Sequence, residues 1–360
     1  MPIYMDVHIV PGVKAKDVAE AHRKDLLHQH EHECKCMTYW IDEERENIFC
    51  LIEAPNKEAV EVLHKNAHGL VPNKVIEVSS GLVESFLGRI YDPEDAQITA
   101  EGLKVFAESS FRYLLLVKMP DPFLMKNKMG DEADSLLEKQ IGIIRKAVSE
   151  MQGRETERAG IDFIFSFGSA QNALQAALDI HKHSVLKNLE WSMAVHAGEP
   201  VENSQELFGE TIGLLNSLTS IAKAGELMIS CSVKELLAKD PVNLRNKKFQ
   251  SLSAADEQLL SSIFNTLEEH YQETEFNIED YSQAMAMSKS QLYRKCISIT
   301  GSSPNLLLKN FRLEKAKELL RKGSFSVAQI TFETGFTSPS YFTKCFKKKY
   351  GLLPMSYLSK

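Results

Sequence analysis

SVAQITFETGFTSPSYFTKCFKKKYG, running from Ser326 to Gly351, is the stretch that decides how this 360-residue chain is built. Val327, Ile330, Thr331 and Phe332 place an apolar stripe at helical spacing, and Gly335 supplies the positive φ of a sharp turn. Ser338 stands as the N-cap of a second helix, on which Phe342 and Phe346 fall four apart on one face. Ser340, Tyr341, Lys344, Lys347 and Lys348 lie around its other faces. One side of that helix is core, and the remainder can meet DNA.

The same logic occurs upstream in IEDYSQAMAMSKSQLYRKCISITG, which begins at Ile278. Ser288 caps, Leu292 and Cys296 point inward, Gly301 ends the helix, and Ser290, Gln291, Tyr293, Arg294 and Lys295 are left for a groove. Between the two units Pro304 starts a helix carrying Leu306, Leu307, Phe311, Ala316, Leu319 and Leu320, which stops at Gly323.

Taken together the two units resemble the DNA-binding domain of the arabinose-regulator (AraC) family of bacterial transcription factors. The resemblance is carried by LYRK, the linker TGSSPNLLLKNFRLEKAKELL, ITFETGF, SPSYFTKCFKKKYG and GLLPMSYL. Ser282 and Thr331 depart from it, standing where the family usually packs Ala. It implies an all-α domain over residues 252–360 that binds double-stranded DNA. Its linker helix would hold two recognition helices about 34 Å apart, one turn of the duplex. Arg294 is the first expected base contact, because its fork suits guanine O6 and N7, whereas Lys347 and Lys348 are expected on phosphate.

Charge supports this independently. Residues 286–360 hold fourteen Lys and Arg against three Asp and Glu, a balance of +11, which leaves −18 on the preceding 285 residues of a chain whose total is −7. A basic end on an acidic body fits a protein in which one part meets phosphate. Ahead of the basic part, Ser253 and Asp256 form a capping box for a helix from Ala254 to Tyr271, with Leu259, Leu260, Ile263, Phe264 and Leu267 as its stripe. PVNLRNKK, Pro241 to Lys248, reads as the preceding linker.

The first segment alternates strand and helix signals in the order β-α-β-β-α-β. IYMDVHIV is a strand, and Ala15 to His30 a helix with Ala15, Val18, Ala19, His22 and Leu26 along one stripe. CKCMTYWI and NIFCLIEA are strands, Asn56 caps a helix to His68, and Lys74 to Val78 closes the set. That order predicts a ferredoxin-like α+β domain over residues 1–90. Seven of the eleven His fall here, at 8, 22, 28, 30, 32, 64 and 68, beside Cys34, Cys36 and Cys50. His64 and His68 are one helical turn apart, a spacing that lets two imidazoles hold one metal. A His on an apolar stripe, such as His22, is also the ordinary hydrogen-bonded core residue, and HQHEHECKC is also an ordinary polar helix end.

The segment resembles a small nickel-binding ferredoxin-like family of bacteria, through IYMDVHIVPG, His22, TYWIDEE, FCLIEAP and AVEVLHKNAHGLVPNKVIEV. The resemblance implies nickel or another transition metal, with His8, His22, Cys50, His64 and His68 as the candidate ligands.

After a connector from Tyr91 to Glu108, a second α+β pattern fills residues 109–240. FRYLLLVKM, IDFIFSF and WSMAVHAG are strands, and Asp131 to Met151 and Asn172 to Lys187 are helices. A further helix then leads through a Gly225 turn into a strand, and SVKELLAKD ends the set as a helix. AGIDFIFSFGSAQNALQAALDIH, WSMAVHAGEPVE and LFGETIGLLNSLTSIAKAGELMISCSVKELL resemble a class III nucleotide cyclase homology domain, a second ferredoxin-like module. That family joins Mg²⁺ through two Asp and steadies substrate with an Asn and an Arg. Here Lys118 or Met119, Ile161, Gly213 and Ser217 fall at those places, while Asp121 and Asp162 are displaced from them. A catalytically inactive module is expected.

At 43% hydrophobic and 25% charged residues, the composition is that of a soluble globular protein. No apolar run approaches the roughly 20 residues of a bilayer span, so a cytoplasmic location without membrane contact is expected. The six scattered Cys read as reduced thiols. The expectation is a multidomain homodimeric regulator, two α+β ferredoxin-like domains ahead of an all-α tandem helix-turn-helix, controlled by a metal or small-molecule effector. Its rivals are a metal-handling protein with a DNA-binding tail and a nucleotide-binding cyclase-like enzyme.

Overall fold

The structure, a computed structural model, describes residues 1–100, 102–156, 160–186, 189–238 and 249–358. The expected linker Pro241 to Lys248 lies outside these residues, as do Lys187, Lys239 and Asp240 at two expected helix ends. The chain forms two compact units, Met1–Met119 with Lys139–Ser251, and Pro120–Glu138 with Leu252–Lys360.

The first unit opens with β1 (Ile3–Ile9), α1 (Ala15–His28), β2 (Lys35–Asp42), β3 (Asn47–Glu53), α2 (Lys57–Ala67) and β4 (Lys74–Val78). The four strands make an antiparallel sheet in the order β2-β3-β1-β4, with β1 inside it. Strand alternation puts Tyr4, Ile48, Cys50 and Ile52 on the face that packs with Val18, Ala19, Val60 and Leu63 of the two helices. Met5, Val7, Phe49 and Leu51 on the opposite face are buried as well, which is why β1 and β3 read as continuous apolar runs. Asn56 caps α2 by accepting from the Ala59 backbone N–H at 2.9 Å. On α1 the stripe differs from expectation, since Leu26 is 38% exposed and Asp25 is buried in its stead.

After β4 comes α3 (Ser80–Leu87), for which no helix was expected, and the expected connector Tyr91 to Glu108 carries a short hairpin, β5 (Gln97–Ile98) with β6 (Lys104–Val105). Leu103 and Phe106 from that region complete the core beneath α1 and α2. Then follow β7 (Arg112–Lys118), α4 (Pro122–Met129), α5 (Glu132–Glu150), β8 (Arg154–Glu155), β9 (Phe163–Phe167), α6 (Ala170–His183), β10 (Ser192–Gly198), α7 (Gly209–Ile221), β11 (Leu227–Ile229) and α8 (Cys231–Ala238). A five-stranded sheet in the order β11-β10-β7-β9-β8 results, antiparallel except for the β10–β11 pair. Helix α4 belongs to the second unit.

The rest of the second unit is helical: α9 (Ala254–His270), α10 (Ile278–Ala284), α11 (Lys289–Thr300), α12 (Pro304–Lys322), α13 (Val327–Glu333), α14 (Pro339–Tyr350) and α15 (Pro354–Leu358). It has two cores. One gathers Ile263, Leu267, Phe276, Tyr281, Leu292, Cys296 and Leu308; the other gathers Leu313, Ala316, Leu320, Ile330, Phe336, Phe342, Phe346 and Tyr357. Helix α12 contributes to both, so one rigid rod links the two helix-turn-helix units. Leu308 and Leu313 are its buried residues where Leu306 was expected, and Leu306 is 38% exposed. Phe332, expected in the stripe of α13, is 54% exposed, while Ile330 and Thr331 fill that interface. Ser282 and Thr331 lose little by not being Ala, because their hydroxyls donate to the Glu279 and Val327 carbonyls, both at 2.8 Å.

Gly335, at φ +73°, is required twice over. Its backbone lies in the left-handed region, and a Cβ there would collide with the Tyr271 carbonyl. Arg312 ties down the same point, donating from Nε to the Tyr271 carbonyl at 2.8 Å and from Nη2 to the Glu273 carbonyl at 2.6 Å. Gly335→Ala is therefore expected to destabilise the second unit by about 1–3 kcal/mol. A urea midpoint equal to that of the parent protein would contradict this.

Candidate nucleic-acid interface and metal centre

Helices α11 and α14 are built alike. Ser288 and Ser338 cap them, accepting from the Gln291 and Tyr341 backbone N–H groups, and Gly301 and Gly351 close them at φ +69° and +80°. Leu292 with Cys296, and Phe342 with Phe346, are fully buried and fix the rotation of each helix about its axis. That rotation leaves Ser290, Gln291, Tyr293, Arg294 and Lys295 of α11 exposed, with Ser340, Tyr341, Lys344, Lys347 and Lys348 of α14. Gln291 has its Oε1 engaged, accepting from the Ser288 backbone N–H at 2.9 Å and completing a capping box, which leaves its amide NH2 as the group facing outward. Lys349 is likewise taken, its ammonium 2.9 Å from Glu314. Glu314 also accepts from the Tyr350 hydroxyl at 2.9 Å, and despite burial the Lys317 and Lys349 charges hold it well below the usual carboxylate range.

The first sheet organises a second cluster. Asp6 and Cys50 are direct cross-strand partners on β1 and β3, and His8 follows Asp6 on the same face. Helix α2 lowers His64 onto them, and α1 brings Asp25 from the other side. Both ring N–H groups of His64 donate, Nε2 to Asp6 Oδ2 at 2.9 Å and Nδ1 to Asp25 Oδ1 at 3.2 Å. His68 Nε2 lies 3.2 Å from the same Asp25 oxygen. Asp6, His8, Asp25, Cys50 and His64 are all buried.

Burial alone would strip His64 of its proton, but Asp6 and Asp25 push its pKa up to about 10. The reverse holds for the carboxylates: burial raises them, yet His64 keeps both below their ordinary range. Burial and the same two carboxylates drive the Cys50 thiol well up. Within this cluster, among the described residues, Asp6 Oδ1 and both ring nitrogens of His8 find no hydrogen-bond partner. His8 Nε2 does sit 3.3 Å from Asp6 Oδ1. Among the described residues, Asp6, His8, Cys50 and His64 bring one donor atom each within 4.8 Å of one another, as do Asp25, His64 and His68. Oxygen, nitrogen and sulfur donors with unsatisfied lone pairs are what a transition-metal ion would satisfy.

Of the five expected metal residues, His8, Cys50, His64 and His68 are thus brought together and His22 is not. Its Nε2 stands 3.5 Å from Asp92 without a hydrogen bond, and its ring leans on Tyr39, away from the cluster. Asp6 and Asp25 were missed. The signal for Asp6 was present, a carboxylate in the middle of the apolar run IYMDVHIV and two residues before His8. His28, His30 and His32 fall at the end of α1 and in the single 3₁₀ turn after it, outside the buried cluster. An open cleft of about 640 Å³ is lined by Arg45, Glu108, Phe111, Arg112 and Tyr113, among others. Several of its charges are paired, Glu108 with Arg89 and Arg112, and Asp42 with Arg45.

Comparison with known proteins divides along the same line. Residues 281–360 match the family described as Helix-turn-helix domain, and residues 4–78 the family described as Nickel responsive protein SCO4226-like. The chain is 35% identical over 107 residues to Histidine kinase P4 of Formosa agariphila, covering 30% of this chain and 8% of the kinase. It is 38% identical over 85 residues to HTH-type transcriptional regulator MtrA of Neisseria gonorrhoeae, covering 24% of this chain and 28% of that one. The chain therefore spans under a third of the length of either curated relative. The crystal structure of SCO4226 from Streptomyces coelicolor A3(2) is 31% identical, over 21% of this chain and 94% of that one, with a TM-score of 0.21.

Proposed function

We propose that this chain is a DNA-binding transcriptional regulator of the AraC type whose first segment holds a transition-metal ion. The observation that carries the first half is the pair of capped helices α11 and α14, joined by α12, with polar and basic side chains on their open faces. Arg294 and Tyr293 on one helix and Ser340, Tyr341 and Lys344 on the other would read base edges, while Lys295, Lys347 and Lys348 would hold phosphate. Arg294→Ala is expected to cost about 1–3 kcal/mol at a selected duplex and to relax its sequence preference. Lys348→Ala is expected to weaken selected and random duplexes alike. Equal losses on both duplexes for both variants would overturn this division of roles.

For the second half, Asp6, His8, Cys50 and His64 are the residues that would hold the ion, with Asp25 and His68 orienting His64 from behind. Bound there, the ion would supply positive charge between carboxylates that His64 otherwise serves. Nickel is the metal named in the description of the family that residues 4–78 match. We keep domain limits at 1–90, 109–240 and 252–360, with residues 120–138 of the middle stretch packed against the last, and two ferredoxin-like folds are consistent with the two sheet orders. We read the middle segment as a cyclase-like module without catalysis. Asp162 receives the Met119 backbone N–H at 3.0 Å, Asp121 caps α4, and the Ser217 hydroxyl donates to the Gly213 carbonyl at 3.0 Å. Such a regulator would act in the cytoplasm as a homodimer. Among the described residues no helix is long and apolar enough to cross a membrane.

The buried donor cluster also favours a second reading, a metal-handling protein whose DNA-binding part is accessory. Metal analysis of the purified chain, followed by a DNA shift assay with and without chelator, separates the two. A metal-responsive regulator changes its DNA affinity when the metal is removed, and a metal-handling protein does not.

A further inference from the structure

The second unit contains a piece of chain that sequence order assigns elsewhere. Residues 120–138 leave the middle segment after β7 and pack with the helix-turn-helix part. Asp121 makes the junction. Its Oδ1 accepts from the Phe123 and Leu124 backbone N–H groups at 3.0 and 3.1 Å, capping α4. Its Oδ2 accepts from Arg321 Nη2 at 3.0 Å and from the Tyr357 hydroxyl. Arg321 Nε donates to the same hydroxyl at 3.0 Å, so carboxylate, guanidinium and phenol close a ring. Next to it Phe123 meets the Tyr357 ring edge-on at 4.7 Å, and Phe123 and Leu124 pack against the core that holds Leu320 and Phe346.

The geometry points to residues 120–138 as a built-in partner of the second helix-turn-helix unit, docked through Asp121 onto Arg321 and Tyr357. This docking keeps α14 in its DNA-binding state. The docked segment leaves Ser340, Tyr341, Lys344, Lys347 and Lys348 exposed, so it supports the reading helix and does not cover it. Arg321 closes the last turn of α12, and Tyr357 lies on α15 against Phe346, so both ends of the second core meet at one carboxylate. The segment follows β7 through Met119 on one side and continues into the rest of α5 on the other. The inference rests on the tandem helix-turn-helix and is independent of whether the first segment holds metal.

The test uses the full chain carrying Asp121→Asn, Arg321→Gln, or both, and a duplex selected from a random-sequence pool by the parent protein. Asparagine still caps α4 through its Oδ1 and replaces the charged Oδ2, which accepts from Arg321 and Tyr357, with an amide NH2 that cannot accept. Each single variant is expected to weaken binding about tenfold, as for loss of a charge-assisted hydrogen bond. The double variant should be no weaker than the weaker single. Hydrogen exchange should show α4 and α15 losing protection together while α11 keeps its own. Losses that add in the double variant, unchanged affinity and exchange in Asp121→Asn, or loss of protection in α11 as well, would each overturn the proposal.

Discussion

Phe346→Ala is expected to destabilise the second helix-turn-helix unit by about 3–5 kcal/mol, the cost of emptying a fully buried aromatic site. Phe346 is 0% exposed, and its ring meets Phe342 at 5.7 Å, Tyr350 at 4.6 Å and Tyr357 at 6.1 Å between centroids. A unit this small has little stability to spare, so α13 to α15 should lose hydrogen-exchange protection near neutral pH. The first helix-turn-helix unit has its own core around Leu292 and Cys296, with no residue shared. Protection of α10 and α11 should therefore survive, and the variant should protect one groove segment of a selected duplex where the parent protects two. Uniform loss of protection through α9 to α15 would mean that the two cores fold as one, contrary to this account.

His64→Gln has the other large expected effect. It removes the positive charge between Asp6 and Asp25 and leaves two buried carboxylates facing only His8 and His68, a loss of about 3–5 kcal/mol near neutral pH. Adding Asp6→Asn should recover a good part of it. The pH dependence of the parent follows from the same pair. The pKa of His64 is raised from 6.5 to about 10, so its contribution is complete below pH 6.5 and disappears as pH rises through about 10. Asp6 and Asp25 are lowered from 3.8, so theirs is present above that value and disappears as pH falls through the lowered values. Urea denaturation across pH should thus give a plateau with losses on both sides, and His64→Gln should flatten them. A variant as stable as the parent, with the same pH profile, would show that His64 carries no charge in the fold. The same variant is expected to lose stoichiometric Ni²⁺ uptake, measured by metal analysis after dialysis.

The reading helices were legible in the sequence because their ends are marked by side chains with a local role. Ser288, Ser338, Gly301 and Gly323 each do in the fold what their spacing implied. The interior of α12 was less so: its opening run of three consecutive leucines offers an apolar residue to every direction, and only the two cores decide that Leu308 goes in and Leu306 out. Helix α4 went unseen because PFLMKNKM has no apolar stripe, and its placement depends on Asp121 finding Arg321 some 200 positions later. Five donors of the buried cluster span β1, α1, β3 and α2, and only the antiparallel register that sets Asp6 opposite Cys50 reveals them as neighbours. His22 was separated from them by the rotation of α1, which turns it toward Tyr39.

Everything here depends on two reading helices held at fixed spacing by α12. Hydroxyl-radical footprinting of the full chain on a duplex selected from a random pool tests that most directly. The account predicts two protected patches about one helical turn, roughly 10 base pairs, apart on one face of the DNA. A single protected patch, or a footprint indifferent to sequence, would contradict it.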